Sequence, residues 1–248
     1  MSLGPLFGQA GSRQYPHAVF AHGGLTRIDT TQANIYLTFT GGDYNDGKGI
    51  VKRILRQKSI SSNFFFTGDF YRKKSNRSFI RQLKRAGHYL GAHSDKHLLY
   101  ATWEDRDSLL VTRQEFEQDL RENYRVMAEY DILEKQALFF MPPYEWYNSK
   151  ISKWTADLGL QLINFTPGTR SNADYTTPDM GKRYWSSDAI LKSILDFEAK
   201  ETNGLNGFIL LLHVGTHPSR VDKMYKLLPQ LIETLHQRGY HFASLHNL

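Results

Sequence analysis

Strand and helix patterns alternate along the chain, and the strands are continuous apolar runs. Those two observations predict an α/β fold, a parallel sheet or barrel with its helices outside. Seven strands come out, and neither a low-complexity linker nor an internal repeat divides the chain. Residues 1–248 therefore read as a single domain, with roughly the first 30 residues as a loosely structured lead-in.

The elements follow from period and punctuation. Ile35 to Phe39 reads as a buried strand ending in glycines, and 46–58 as a helix with Ile50, Val51, Ile54 and Leu55 on one face. A second strand runs from Ser62 to Gly68, a helix over 75–86 stops at Gly87, and a third strand spans 88–93. A long helix is expected over 112–130, then a short strand over 138–140 ended by Pro142 and Pro143. A helix over 149–158 closes at Gly159 before a fifth strand over 160–164. A loop rich in Thr, Pro, Asn and Asp reaches about Ser187. A helix over 189–200, a sixth strand over 208–213, a helix over 221–237 and a last strand over 240–243 complete the chain.

Composition narrows the chemistry. There is no Cys, which removes disulfides, thiolate metal sites and Cys nucleophiles, while 10 His remain. A chain of this size buries roughly 70–75% of its unfolded surface and needs no metal merely to fold. No apolar run approaches the ~18 residues of a membrane span. The start of the chain has neither a basic nor an apolar region of the kind a signal peptide needs.

The net charge of +6 is uneven. Residues 52–85 hold 11 basic side chains and one acid, Asp69, and the rest of the chain is mildly acidic. Two solvated helix faces account for this block most simply. A surface for an anionic polymer is the competing account, but no nucleic-acid module is present and no nucleic-acid partner is expected.

In α/β folds of this kind the chemistry gathers where strands end. Here one end carries Thr40, Gly41, Gly42 and Asp43, another His93 and His97, a third Tyr144 and Glu145, and a fourth His213 with His217 beyond it. An i,i+4 spacing on a helical turn puts His93 and His97 on one face, as a two-His metal site requires, although chance pairs are common. Asp43 is the best-placed carboxylate to complete a His₂-carboxylate set, and an Asx turn or helix cap is its plainer role. His213 is a general-acid candidate or a satisfied core residue. His217 reads as a loop residue. Pro142 and Pro143 stiffen a turn that can present the Tyr144 N–H to an oxyanion. Trp103, Trp146, Tyr147 and Tyr175 either stack on sugar faces or pack loops.

In this order the pieces resemble the polysaccharide deacetylase superfamily, carbohydrate esterase family four, from about Ile35 to Tyr240. Leu37, Thr38 and Phe39 with the following glycines resemble its first motif, Thr-Phe-Asp-Asp-Gly. Phe64 to Gly68 resemble its second strand. The stretch from Gly87 to His97 is close to the family's His-Ser-x-x-His segment. Met141 to Tyr144 resemble Arg-x-Pro-Tyr, and Leu211, Leu212 and His213 resemble the final Leu-x-His. The resemblance implies a distorted (β/α)7 barrel and a divalent metal, zinc or else cobalt, nickel or manganese. It implies His93 and His97 as metal ligands, Tyr144 as oxyanion donor and His213 as general acid. The implied reaction is removal of an N- or O-linked acetyl group from a polysaccharide or oligosaccharide, in an extracytoplasmic setting.

The first motif departs from the family. Its base Asp is Thr40 and its metal-ligand Asp is Gly41, so Asp43, two residues on, is the proposed third ligand. The family Arg that orients the base is Met141, and losing the two together avoids a buried Arg without its carboxylate. Either another carboxylate takes the base role, with Glu145 and Asp174 as candidates, or the protein binds metal and carbohydrate without efficient deacetylation.

Overall fold

The computed structural model describes residues 15–248. Their centre is a curled, mostly parallel sheet flanked by helices. β3 (Asn34–Gly41) pairs in parallel with β4 (Asn63–Phe66) on one side and with β8 (Phe208–His213) on the other. The sheet continues through β5 (Tyr89–Ala92), β6 (Phe139–Phe140) and β7 (Gln161–Leu162). β9 (His241–Phe242) pairs with the start of β3. All seven expected strands are present. Ile35, Leu37 and Phe39 of β3 are wholly buried, and so is Thr38 between them, because helices cover one face of the sheet and side chains fill the other.

The lead-in is more ordered than its sequence suggests. β1 (Val19–Ala21) and β2 (Gly24–Arg27) form an antiparallel hairpin across His22 and Gly23, both with positive φ, as a two-residue hairpin turn demands. β2 pairs with β8 at Arg27 and Phe208 and bridges to the end of β7 at Leu25 and Ile163. It thereby covers both edges that a seven-stranded sheet leaves open, which is the physical reason this segment is ordered. The first 14 residues of the expected lead-in lie outside the described residues.

The helices are α1 (Lys48–Lys58), α2 (Gly68–Arg72), α3 (Arg77–Arg85), α4 (Arg113–Ala128), α5 (Ser149–Asp157), α6 (Ser187–Lys200) and α7 (Leu228–Gln237). Thr112 and Glu115 close a reciprocal capping box on α4, and Asn148 and Ser186 cap α5 and α6. α7 starts seven residues later than its pattern predicts. Val221 is 77% exposed, Asp222 and Lys223 bond to neighbouring loops, and Pro229 sets the helix start.

The basic block divides. Arg53, Arg56, Arg77, Arg81 and Arg85 stand exposed on the outer wall formed by α1 and α3. Arg72 and Lys73 instead reach the rim at the strand ends, contrary to the expected outward placement: Arg72 pairs with Asp95, and Lys73 Nζ donates to the Asp43 carbonyl.

Candidate active site

The C-terminal ends of β3, β5, β6 and β8 open onto a cleft of about 730 Å³, with Thr40, His93, His97, Tyr144, Glu145 and His213 among its walls. The pairing of Thr40 with His213 across β3 and β8 brings the first motif beside the last.

His93 follows β5 and is 2% exposed. Its Nδ1 lies 2.9 Å from the Met141 carbonyl, an acceptor, so the proton sits on Nδ1 and the lone pair of Nε2 is left free. Its backbone N–H donates to Asn123 Oδ1. His97 comes within 5.0 Å of it, ring centre to ring centre. No helical turn joins them; the segment is an irregular loop in which Ser94 and His97 adopt φ values of 69° and 55°. That loop is fastened to α4. Asp119 accepts from the Ser94 hydroxyl at 2.6 Å and from the N–H groups of Asp95 and Lys96 at 2.9 Å each. Burial pushes the His93 pKa well below its usual range, and burial followed by the charge of His213 takes His97 to about 4. Both rings are therefore neutral at pH 7, the form that can bind a metal.

The turn after β6 places Tyr144 and Glu145 successively in the left-handed region, at φ 57° and 53°. Its backbone donors are Glu145 to the Pro142 carbonyl and Trp146 to the Pro143 carbonyl, with the Tyr144 N–H outside that pattern. The Tyr144 ring lies 4.3 Å from His97. Asn164 donates to the Glu145 carbonyl and pins the turn. Desolvation raises the Glu145 carboxyl to about 7, with His213 opposing and Asp174 reinforcing the shift.

His213 is gripped by Asp174, which lies in a 3₁₀ turn spanning Ser171–Tyr175. One carboxylate oxygen is 2.6 Å from His213 Nδ1, and the other accepts the His213 N–H at 2.9 Å. Burial disfavours the imidazolium, but the charge and hydrogen bond of Asp174 outweigh it and raise the His213 pKa. With both oxygens engaged, Asp174 is the partner of His213. No sequence spacing signals this pairing, since 39 residues separate the two.

Asp43 lies exposed on the cleft rim, near enough for its charge to favour protonation of His97. Among the described residues no three His, Asp or Glu side chains gather as a metal-holding group. Position 41 is tightly walled: a Cβ there meets Phe66 and Val214 side-chain atoms at 2.8 Å each, so a carboxylate requires those side chains to shift. The donor set thus stops at two imidazoles, short of the three-ligand set the resemblance implies. Thr40 Oγ1 is buried on the wall with no hydrogen-bond partner.

His217 lines the cleft, 5.5 Å from the Tyr44 ring. Trp103 and Tyr175 stand exposed within it, whereas Tyr147 is buried and donates to the Ala21 carbonyl, and Trp146 donates to the Thr102 carbonyl. Several positioning residues carry no motif. Asp119 and Asn123 share a face of α4 through their i,i+4 spacing. Wholly buried Arg220 donates to the Thr176 carbonyl and Ser187 Oγ. Asp46 accepts the Thr216 N–H and pairs with Lys223, tying the β3 and β8 loops together. Among the described residues no helix is long and apolar enough to cross a membrane.

The sequence profile of the family described as polysaccharide deacetylase matches residues 27–163. A peptidoglycan-N-acetylglucosamine deacetylase of Bacillus cereus is 24% identical over 223 residues, covering 89% of this chain and 90% of its own. A chitooligosaccharide deacetylase of Azorhizobium caulinodans is 26% identical over 201 residues, covering 79% of this chain and 80% of its own. Among solved structures, a CE4-family pseudoenzyme from Bacillus anthracis superposes with a TM-score of 0.68 at 18% identity, over 92% of this chain and 69% of the other.

Proposed function

The chain belongs to the polysaccharide deacetylase family, and on that premise we propose that it hydrolyses acetyl groups, N- or O-linked, from a polysaccharide or oligosaccharide. The observation that carries the reading is the gathering of His93, His97, Tyr144, Glu145 and the Asp174-held His213 in one cleft, where burial also raises the Glu145 carboxyl to about 7. A carboxyl that titrates near neutrality and an imidazole shifted upward by its carboxylate partner suit acid–base hydrolysis. Glu145 takes the proton from the attacking water, the role that Thr40 cannot fill. The Tyr144 N–H meets the oxyanion, and His213, whose protonated form Asp174 favours, donates to the leaving amine or alcohol.

We further propose that His93 and His97 hold a divalent metal, zinc first and cobalt, nickel or manganese as alternatives, with Asp43 as third donor if its side chain turns inward from the rim. Such a metal supplies Lewis acidity to water and the acetyl carbonyl. Calorimetric zinc titration tests this part: binding is expected to vanish in His93→Ala and to weaken in Asp43→Ala. Unchanged affinity in His93→Ala overturns it.

Acetate release from acetylated chito-oligosaccharides, peptidoglycan fragments and xylan tests the activity. kcat/KM is expected to fall off below about pH 7 with Glu145 protonation, and Glu145→Gln to lose activity by roughly 10²-fold or more. Full activity in Glu145→Gln removes it from the base role. A peptidoglycan- or chitin-type substrate goes with an extracytoplasmic location.

One observation favours a second reading. With Thr40 and Gly41 in the first motif and position 41 walled by Phe66 and Val214, the site suits a member that binds carbohydrate without efficient deacetylation. Glycan binding with no acetate released from any of these substrates decides for that reading.

A further inference from the structure

Four large aromatic side chains that stand well out in solvent, Tyr44, Trp103, Tyr144 and Tyr175, are 40–55% exposed and all line the one cleft. Exposed apolar rings gathered in one concavity mark a ligand surface, since scattered rings would be the ordinary outcome.

Trp103 is the most exposed of the four, at 55%, and it packs on a second indole ring. Its ring lies 5.5 Å from Trp146 at an interplanar angle of 38°. Trp146 is pinned from two sides: its Nε1 donates to the Thr102 carbonyl at 3.0 Å, and the Arg106 guanidinium sits 3.5 Å from its ring centre. Asn148, the α5 cap, donates to the Arg106 carbonyl and joins the two loops that build this stack. A large apolar ring kept wet and backed by an anchored second ring loses little conformational entropy when a ligand covers it. The C–H face of a pyranose is such a ligand, being flat, apolar and rimmed by hydroxyls.

The platform adjoins the reacting groups. Trp103 meets Tyr144 edge-on at 5.7 Å, and Tyr144 in turn contacts His97. A sugar on Trp103 therefore neighbours the sugar whose acetyl group faces the histidines. On the opposite arc of the sheet, Tyr175 contacts His213 and Tyr44 contacts His217, each at 5.5 Å. Aromatic rings thus flank the site on the β5–β6 side and on the β3–β8 side.

We propose that Trp103 is a pyranose-stacking platform, and that with Tyr44 and Tyr175 across the cleft it makes the protein bind an internal stretch of a glycan chain, not a terminal sugar alone. The inference rests on the reading of this cleft as a glycan deacetylase site.

The test uses the described protein with N-acetylglucosamine oligomers of one to five sugars and with acetylated xylo-oligosaccharides. In the wild type, kcat/KM is expected to rise by roughly tenfold or more between the dimer and the tetramer of the better series. Trp103→Ala should flatten that rise through KM, Trp103→Phe should keep most of it, and the thermal midpoints should stay level. The tetramer should also perturb the intrinsic tryptophan fluorescence saturably, and that change should weaken in Trp103→Ala. An equal length dependence in Trp103→Ala overturns the platform while leaving the deacetylase reading intact. If no acetate is released from either series, the deacetylase reading fails, and the fluorescence titration decides the platform alone. Saturable binding weakened in Trp103→Ala upholds it, and no binding of either tetramer overturns it.

Discussion

Asp119 on α4 and Ser94 in the loop after β5 share a 2.6 Å hydrogen bond, and the same carboxylate takes the next two backbone N–H groups, of Asp95 and Lys96. Ser94 and His97, at either end of this segment, are both left-handed, a conformation that costs a non-glycine residue on the order of 1 kcal/mol. The buried carboxylate offsets that cost and so fixes where both histidines stand. In Asp119→Asn one oxygen becomes an NH₂ group, which then faces the N–H of Asp95 or of Lys96 as donor against donor. The expected loss is about 3 kcal/mol. Urea unfolding measures it, and amide exchange at Asp95 and Lys96 should quicken at least in proportion, roughly tenfold per 1.4 kcal/mol. Unaltered exchange at those two amides shows that the loop is held by other contacts.

Asp174 decides the protonation of His213. Because its charge and hydrogen bond raise the imidazole pKa against the pull of burial, Asp174→Asn should lower it. The protonated ring then gives way to the neutral one at lower pH, and the alkaline limb of the kcat/KM profile should move down. An NMR titration of the His213 ring follows the same shift without substrate. A limb and a titration that stay in place in the variant rule out Asp174 as the group that sets this pKa.

The sheet was legible because its strands are largely apolar runs, from Ile35 to Phe39 with Thr38 the one polar residue and from Phe208 to Leu212 without a break, and burial on both faces writes that pattern into sequence. The β1–β2 hairpin was not, because its three- and four-residue strands are held by pairing to β8 and to the end of β7, a long-range requirement with no local signature. At the site, His93, His97 and His213 were legible from their positions at strand ends. The bond between Asp174 and His213, and the grip of Asp119 on the histidine loop, depend on where a 3₁₀ turn and a helix land in space. Asp174 was found as a carboxylate in the right loop, yet its role as the partner of His213 follows only from geometry.

Position 41 gives a prediction about reversibility. A Cβ on Gly41 meets Phe66 Cδ1 and Val214 Cγ1 at 2.8 Å, and Phe66 is itself stacked on Phe70 at 4.1 Å. Gly41→Ala is therefore expected to cost about 1–3 kcal/mol as overpacking, and Gly41→Asp more, because the carboxylate must also be desolvated. Gly41→Asp combined with Phe66→Leu should recover part of the loss by opening the space. Denaturation midpoints check both, and a fully stable Gly41→Asp shows that the wall yields more readily than its packing implies.

His88 predicts an acid limit on stability that is separate from the cleft. Its ring is 6% exposed, packs 5.5 Å from Phe64, and accepts the Ser62 N–H at Nδ1, which only the neutral ring can do. Burial lowers its pKa from 6.5 to about 4. Between those values the unfolded chain takes up a proton that the folded chain refuses, so stability falls as pH drops from 6.5 towards 4 and is unaffected by this group above 6.5. The loss reaches about 3 kcal/mol at the low end. His93 and His97, also held neutral by burial, add losses of the same sign, so the contribution of His88 is read as a difference between proteins. Urea unfolding at pH 8, 6 and 5 should show a shallower decline in His88→Gln than in the wild type, even if the variant starts less stable at pH 8. Parallel declines in the two proteins mean that His88 does not titrate on unfolding.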